Sequence, residues 1–164
     1  MAAELKARAL VVTVSDRSSA GRMEDRSGPA LMEALAQAGF ELGPKQVVPD
    51  DRQRIVEVLK AAVAQGYDLV VTTGGTGLGP RDVTPQAAAS LLDYEVPGLA
   101  EEMRRRGAQK TPNALLSRSL AGVSEHTLLL SLPGSRSGAL ESLEAVLPVL
   151  GHALQLLRGQ TEHP

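Results

Sequence analysis

Residues 70–86, Val70-Val71-Thr72-Thr73-Gly74-Gly75-Thr76-Gly77-Leu78-Gly79-Pro80-Arg81-Asp82-Val83-Thr84-Pro85-Gln86, concentrate the groups best suited to chemistry. An apolar run ends in a threonine pair and enters a loop with four glycines in six residues, Gly74 to Gly79. Glycines bare the backbone N–H groups, and a turn that leads into a helix aims such groups at an anion. Asp82 alters that picture. A carboxylate among N–H groups meant for phosphate makes sense where a metal or a proton transfer is involved. Asp50, following Val48-Pro49, offers a second carboxylate. Taken alone, an aspartate after a proline is more often a helix cap than a metal ligand. If its strand and the strand before the glycine loop share one parallel sheet, Asp50 and Asp82 leave the same edge. Together they could then hold Mg²⁺ against polyphosphate oxygens.

Other chemistries fit poorly. Pro80-Arg81 stands where a Walker A motif requires Gly-Lys, and a dinucleotide fingerprint built on Gly75 and Gly77 would also need a glycine at 80. His126, His152 and His163 are scattered, with no metal-ligand spacing and no Ser-His-Asp arrangement. The chain has no Cys, which removes disulfides, thiolate zinc sites and a cysteine nucleophile. A formal charge of −2 with one Phe, two Tyr and no Trp argues against nucleic acid as a partner. No stretch approaches the roughly 18 consecutive apolar residues of a membrane span. Glu4, Lys6 and Arg8 interrupt Met1–Leu10, unlike a signal peptide. A cytoplasmic protein is expected.

The elements that must position these residues alternate. Arg8–Val14 is β-branched and almost continuously apolar, as in a strand buried on both faces, and it empties into Ser15-Asp16-Arg17. Ser27 can cap a helix with Pro29 in its first turn and Leu31, Met32, Leu35 and Ala36 on one stripe, closing at Gly39. Gln46–Val48 is a short strand. Asp50 and Asp51 open a helix whose Ile55, Val56, Leu59, Ala62 and Val63 share a face, ending near Gly66. Asp68–Thr72 is a third strand. Thr84 can cap the helix after the glycine loop, with Pro85 in first position, running to about Asp93. A further helix from Pro97 carries Leu99 and Met103 inward and Arg104, Arg105 and Arg106 toward solvent. After a break at Thr111-Pro112-Asn113, Leu115–Val123 reads as a loop and short strand. Residues 122–126 read as a turn, and Thr127–Leu132 as a buried strand that could pair with the preceding one as an antiparallel hairpin. Pro133-Gly134-Ser135-Arg136-Ser137-Gly138 forms a second glycine-rich loop. A closing helix from Gly138 to Arg158 carries leucines at helical spacing and Pro148. The β-α-β-α-β order implies a single-domain, three-layer α/β/α sandwich with a mostly parallel sheet and one antiparallel hairpin, whose ligand edge lies at the strand C-termini.

Thr73-Gly74-Gly75-Thr76-Gly77 followed by Arg81-Asp82-Val83-Thr84-Pro85 closely resembles the MoaB/Mog family of molybdenum-cofactor biosynthesis. Further segments match in order: Ser15-Asp16-Arg17, Asp25 with Ser27-Gly28-Pro29-Ala30-Leu31, Pro49-Asp50, Pro97-Gly98, Leu116-Ser117-Arg118-Ser119 and Leu132-Pro133-Gly134. The resemblance spans residues 10–159. It implies a compact α/β domain assembling as a homotrimer and an adenylyltransferase that joins molybdopterin to Mg-ATP, releasing pyrophosphate. Asp50 and Asp82 would be the catalytic and metal-binding pair. Ser15, Asp16, Ser27, Gly74, Gly75, Thr76 and Gly77 would face nucleotide and phosphate. Ser117, Arg118, Pro133, Gly134 and Ser135 would face the pterin. A MoeA-like molybdate-inserting partner would receive the product. Family loops vary after Gly134, and some MoaB-type members are differently assembled or inactive. A non-catalytic molybdopterin carrier is therefore the competing expectation, and a general nucleotide hydrolase a third.

Overall fold

The computed structural model describes residues 6–161. His163 and the first half of Met1–Leu10 lie outside the described residues. A seven-stranded sheet forms the middle layer. β1 (Arg8–Val14) pairs in parallel on one side with β2 (Glu41–Leu42) and β3 (Gln46–Val48), two consecutive pieces of one edge. On its other side lies parallel β4 (Leu69–Thr73), then parallel β7 (Thr127–Leu132). β6 (Ala121–Ser124) and β5 (Tyr94–Glu95) complete the sheet as antiparallel members. The expected parallel sheet with an antiparallel hairpin is thus present, and β2 and β5 are additions. Each is two residues long, too short for a hydrophobic period to reveal.

Alternating side chains of the central strands feed two cores. Ala9, Val11, Leu69, Val71, Leu128, Leu130 and Leu132 meet α2 (Ser27–Gln37), α5 (Pro97–Ala108) and α6 (Arg136–Leu157). Leu10, Val12, Val70 and Leu129 meet α3 (Arg52–Ala64) and α4 (Thr84–Ala89). Both faces of β1, β4 and β7 are covered, which is why these strands read as unbroken apolar runs. By length and composition α6 is apolar enough to cross a membrane, although no run in the sequence suggested a span. Here Leu143, Val146, Leu150 and Leu154 form a buried stripe on the sheet and on α2, spaced as one face of an amphipathic helix.

Several local expectations change. Ser15 caps a single helical turn, α1 (Asp16–Ser19), its Oγ accepting from Ser18 N–H at 3.1 Å. Neither Ser27 nor Thr84 is a cap. Each is the first residue of its helix, preceded by Arg26 and Val83, and neither of those supplies a capping side chain. Asp25 takes that role for α2, its Oδ1 accepting from Gly28 N–H at 3.0 Å. Asp51, not Asp50, caps α3, accepting from Arg54 N–H at 2.9 Å. Ala36 faces solvent. α4 stops at Ala89, and a 3-10 turn occupies Pro112–Leu116. Residues 121–124 are strand rather than turn, so the hairpin bends at Glu125-His126. Glu125 sits at φ 54 with its N–H donated to Asp93 Oδ2 at 2.8 Å. α6 begins two residues earlier than expected, capped by Ser135 through Gly138 N–H at 3.1 Å.

Leu130 lies at the centre of the sheet with no exposed surface. Leu130→Ala is expected to cost about 2–5 kcal/mol, seen as a lower denaturant midpoint at unchanged slope.

Candidate active site at the parallel edge

Strand register brings four loops to one line. Val14 pairs with Val48, Thr13 with Thr73 and Thr73 with Leu132, so residues Ser15, Pro49, Gly74 and Pro133 leave the sheet side by side. Gly74 is the pivot. Its N–H donates to Leu132 O at 3.0 Å, its φ is 107, and the face where a β-carbon would stand is closed by the Val14 carbonyl. Gly134 approaches so closely that its own β-carbon would lie 3.2 Å from Gly74 Cα. Thr73 Oγ1 donates to Pro133 O at 2.7 Å and ties the two glycine loops together.

Beyond Gly74 the loop turns its donors outward. Arg118 N–H donates to Thr76 O at 2.8 Å, and the Arg118 guanidinium donates to Gly77 O at 2.8 Å and to Asp82 O at 2.7 Å. In planar trans peptides the N–H points opposite the pinned carbonyl, so the N–H groups of Gly77 and Leu78 are directed away from Arg118. Among the described residues, no acceptor meets the N–H groups of Gly75, Thr76 or Gly77. That is the condition for binding an oxyanion. The Gly74 N–H, expected to share this task, is already committed to the sheet.

The carboxylates form a linked set. Asp16 and Asp50 exchange hydrogen bonds, Asp16 N–H to Asp50 Oδ2 and Asp50 N–H to Asp16 Oδ1, both at 3.0 Å. Arg81 clamps both Asp16 oxygens at 3.1 Å and draws that carboxyl below its ordinary range. Burial pushes Asp50 the other way, above the ordinary range, with the charges of Asp16 and Asp82 adding to the effect. Asp82 Oδ2 accepts from Gly79 N–H at 2.9 Å. Among the described residues, no donor meets Asp50 Oδ1 or Asp82 Oδ1, and no three His, Asp or Glu side chains form a metal-binding group.

Two cavities open on this edge. One, about 740 Å³, takes in Ser15, Ser27, Asp50, Gly74 and Arg136. The other, about 630 Å³, runs under Thr76, Met103, Arg104, Ser117, Ser119 and Ser142. Gly75, Asp82, Gly134 and Ser135 line both. The structure therefore brings together Ser15, Ser27, Gly74, Gly75, Asp50 and Asp82 in the first cavity, and Thr76, Gly77, Ser117 and Pro133 in the second. Asp16 and Arg118 line neither. Asp16 braces Asp50 and Arg81, and Arg118 braces the loop. Arg104, expected in solvent, is half-buried and donates to Ser119 O at 2.7 Å. Its place in the wall depends on α5 packing against residues 112–119, which no spacing along the chain shows. Asp25 is a further contributor to the first cavity that its motif did not single out, held by Thr13 Oγ1 at 2.8 Å and Lys45 Nζ at 3.3 Å.

An α/β domain with a glycine loop of unclaimed N–H groups, two carboxylates and paired cavities at its parallel edge is the class that fold and site define. Residues 10–152 match the family model described as "Probable molybdopterin binding domain". The chain belongs to this family of molybdenum-cofactor biosynthesis proteins. It is 38% identical to a molybdopterin adenylyltransferase of Helicobacter pylori, over 91% of this chain and 86% of the relative. It is 54% identical to the crystal structure of the molybdopterin biosynthesis enzyme MoaB of Thermus thermophilus, with a TM-score of 0.88 over 93% of this chain and 96% of that one. A molybdenum cofactor biosynthesis bifunctional protein of Chlorobaculum tepidum is 39% identical over 96% of this chain, which spans only 51% of that relative's length.

Two outcomes follow from the geometry. Gly74→Ala would force a side chain into φ 107 and against the Val14 carbonyl, so a loss of about 1–3 kcal/mol or more is expected in thermal unfolding, with altered amide shifts in residues 74–77. Because the folded state holds the Asp50 proton more tightly than the unfolded chain does, its ionisation opposes folding as pH rises above the ordinary carboxylate value. Asp50→Asn removes that penalty. Its Tm should exceed the wild type's at pH 7, with the gap shrinking toward about pH 4, as calorimetry across that range would show.

Proposed function

We propose that this protein is a molybdopterin adenylyltransferase that joins molybdopterin to Mg-ATP, giving adenylylated molybdopterin and pyrophosphate. One observation carries the reading: two cavities of substrate size meet at a shared wall containing Asp82 and Gly75, whose N–H is unclaimed among the described residues, with the N–H groups of Thr76 and Gly77, likewise unclaimed, beside it on the second cavity. Two reactants, each in its own cavity, would present their phosphates to each other at that wall. The relatives named molybdopterin adenylyltransferase support the choice of substrates.

In this scheme the terminal phosphate of the pterin is the nucleophile. Its oxygen forms a bond to the α-phosphorus of ATP while the α–β bridging P–O bond breaks, and the electron pair departs with pyrophosphate. The protein needs no nucleophile of its own; it supplies position and charge. Gly75, Thr76 and Gly77 would hold phosphate oxygens through backbone N–H groups. Ser15 and Ser27 would line the nucleotide side, and Ser117, Pro133, Gly134 and Ser135 the pterin side. Arg118 and Asp16 act through the loop and through Asp50. Magnesium suits the donor set, because it is satisfied by one or two carboxylates with phosphates and waters completing its shell, and Asp50 Oδ1 and Asp82 Oδ1 are both unclaimed among the described residues. When bound, the ion would neutralise charge on the reacting phosphates.

Two bifunctional relatives, from Chlorobaculum tepidum and Synechococcus elongatus, are about twice this chain's length, which supports hand-over of the product to a separate MoeA-like molybdate-inserting partner. Homotrimeric assembly and cytoplasmic location belong to the same reading, the first testable by light scattering.

Incubation with molybdopterin, ATP and Mg²⁺ should yield adenylylated molybdopterin by mass. Asp82→Asn should lower turnover by on the order of 10²–10³-fold while leaving pterin affinity nearly unchanged. Tight pterin binding with no adenylylated product would instead identify a carrier, and nucleotide cleavage without pterin a hydrolase.

A further inference from the structure

Three buried hydroxyls lack a hydrogen-bond partner among the described residues: Thr72, Thr84 and Ser131. Thr72 and Ser131 face each other in register, each one residue before the C-terminal end of its strand, β4 or β7. Thr84 is different. It has no exposed surface, it opens α4 directly after Asp82 and Val83, and its N–H donates to Gly75 O at 3.2 Å. Its Oγ1 lies against the bare α-carbon of Gly75, occupying the space a β-carbon would need. The same missing β-carbon would sit 3.1 Å from Asp50 Oδ1. Two oxygens from different elements, one a donor without an acceptor and one an acceptor without a donor, therefore border the same glycine. A buried hydroxyl left unpaired is destabilising, and a valine of the same shape would remove that cost. A threonine there has another use.

We infer that Thr84 is a positioning residue for Asp50: its hydroxyl donates to Asp50 Oδ1, directly when the carboxylate swings toward Gly75 or through one water, and so fixes how Asp50 presents itself to the cation. Carboxylates that hold metals are oriented by hydrogen-bond partners in just this way. Asp50 Oδ2 is already anchored by Asp16 N–H. A second donor, on one lone pair of Oδ1, would leave the carboxylate one orientation instead of a rotation about its own axis, with the other lone pair open to the cation. Gly75 then has two duties, to bare an N–H and to leave Thr84 and Asp50 unobstructed. The inference rests on the magnesium-nucleotide reading above.

The test compares Thr84→Val and Thr84→Ser with the wild type in the full chain. Calorimetric titration with Mg²⁺ in the presence of ATP gives metal affinity, product mass gives kcat and the KM for molybdopterin, and thermal unfolding gives Tm. Thr84→Val is expected to weaken metal affinity and lower kcat by about 10–100-fold at unchanged pterin KM, with Tm equal to or above wild type. Thr84→Ser should restore both to within a few-fold. Wild-type metal affinity in Thr84→Val overturns the inference. So does a lowered Tm that Thr84→Ser fails to restore, because the role is then structural. If wild type makes no adenylylated product yet Thr84→Val still loses Mg²⁺, the adenylyl-transfer reading fails and the positioning role stands.

Discussion

At Gly74 the backbones of three loops come within contact distance: its N–H is bonded to Leu132 O, its open face is closed by Val14 O, and Gly134 stacks on its α-carbon. No side chain fits at that junction, and the left-handed φ of 107 excludes most residues other than glycine on its own account. The two cavities open beside this contact, and Gly134 lines both. The contact holds the loop after β4 and the loop after β7 together as a common wall and leaves space on either side.

From that wall the polar architecture can be followed outward. Arg118 takes up carbonyls at Thr76, Gly77 and Asp82, which leaves the loop's amides facing the cavities. Arg81 is committed to Asp16, and Asp16 to Asp50. Neither arginine is free to pair with Asp50 or with the side chain of Asp82. The result is a partly buried Asp50 whose charge is raised in energy by burial and by two neighbouring carboxylates. Such a group has more to gain from a cation than an exposed one would, and the unpaired Thr84 hydroxyl beside it is the same kind of stored cost.

The family assignment and the geometry bear on each other. Close agreement of the backbone with the Thermus thermophilus MoaB structure accounts for the strand order and the loop positions. The chain's own side chains account for the division of labour among them. Asp16 and Arg118 are inside motifs that mark the family, yet both direct their polar atoms to protein rather than to the cavities. A motif residue can serve a ligand by holding the groups that touch it.

The sequence by itself determined the architecture and the identity of the chemistry-bearing loops. Unbroken apolar strands, helices with one greasy face and a glycine loop ahead of a proline-led helix are local patterns, set by burial and backbone freedom within a few residues. Asp50 stood out as a carboxylate placed just after a strand, and Asp82 as one set among the bared N–H groups of the glycine loop. Only the tertiary structure decided what each residue does there. Parallel register put Ser15, Asp50, Gly74 and Pro133 on one edge. Packing of α5 against residues 112–119 turned Arg104 from a surface charge into part of a wall. Which of Asp50, Asp51, Asp25, Ser27 and Thr84 caps a helix depended on where the chain enters each helix: Ser27 and Thr84 already lie inside theirs, while Asp25 and Asp51 stand just ahead of the N–H groups they accept from. Hydrogen-bond partners far apart in the chain are set by where strands end in space, and no periodicity along the sequence carries that distance.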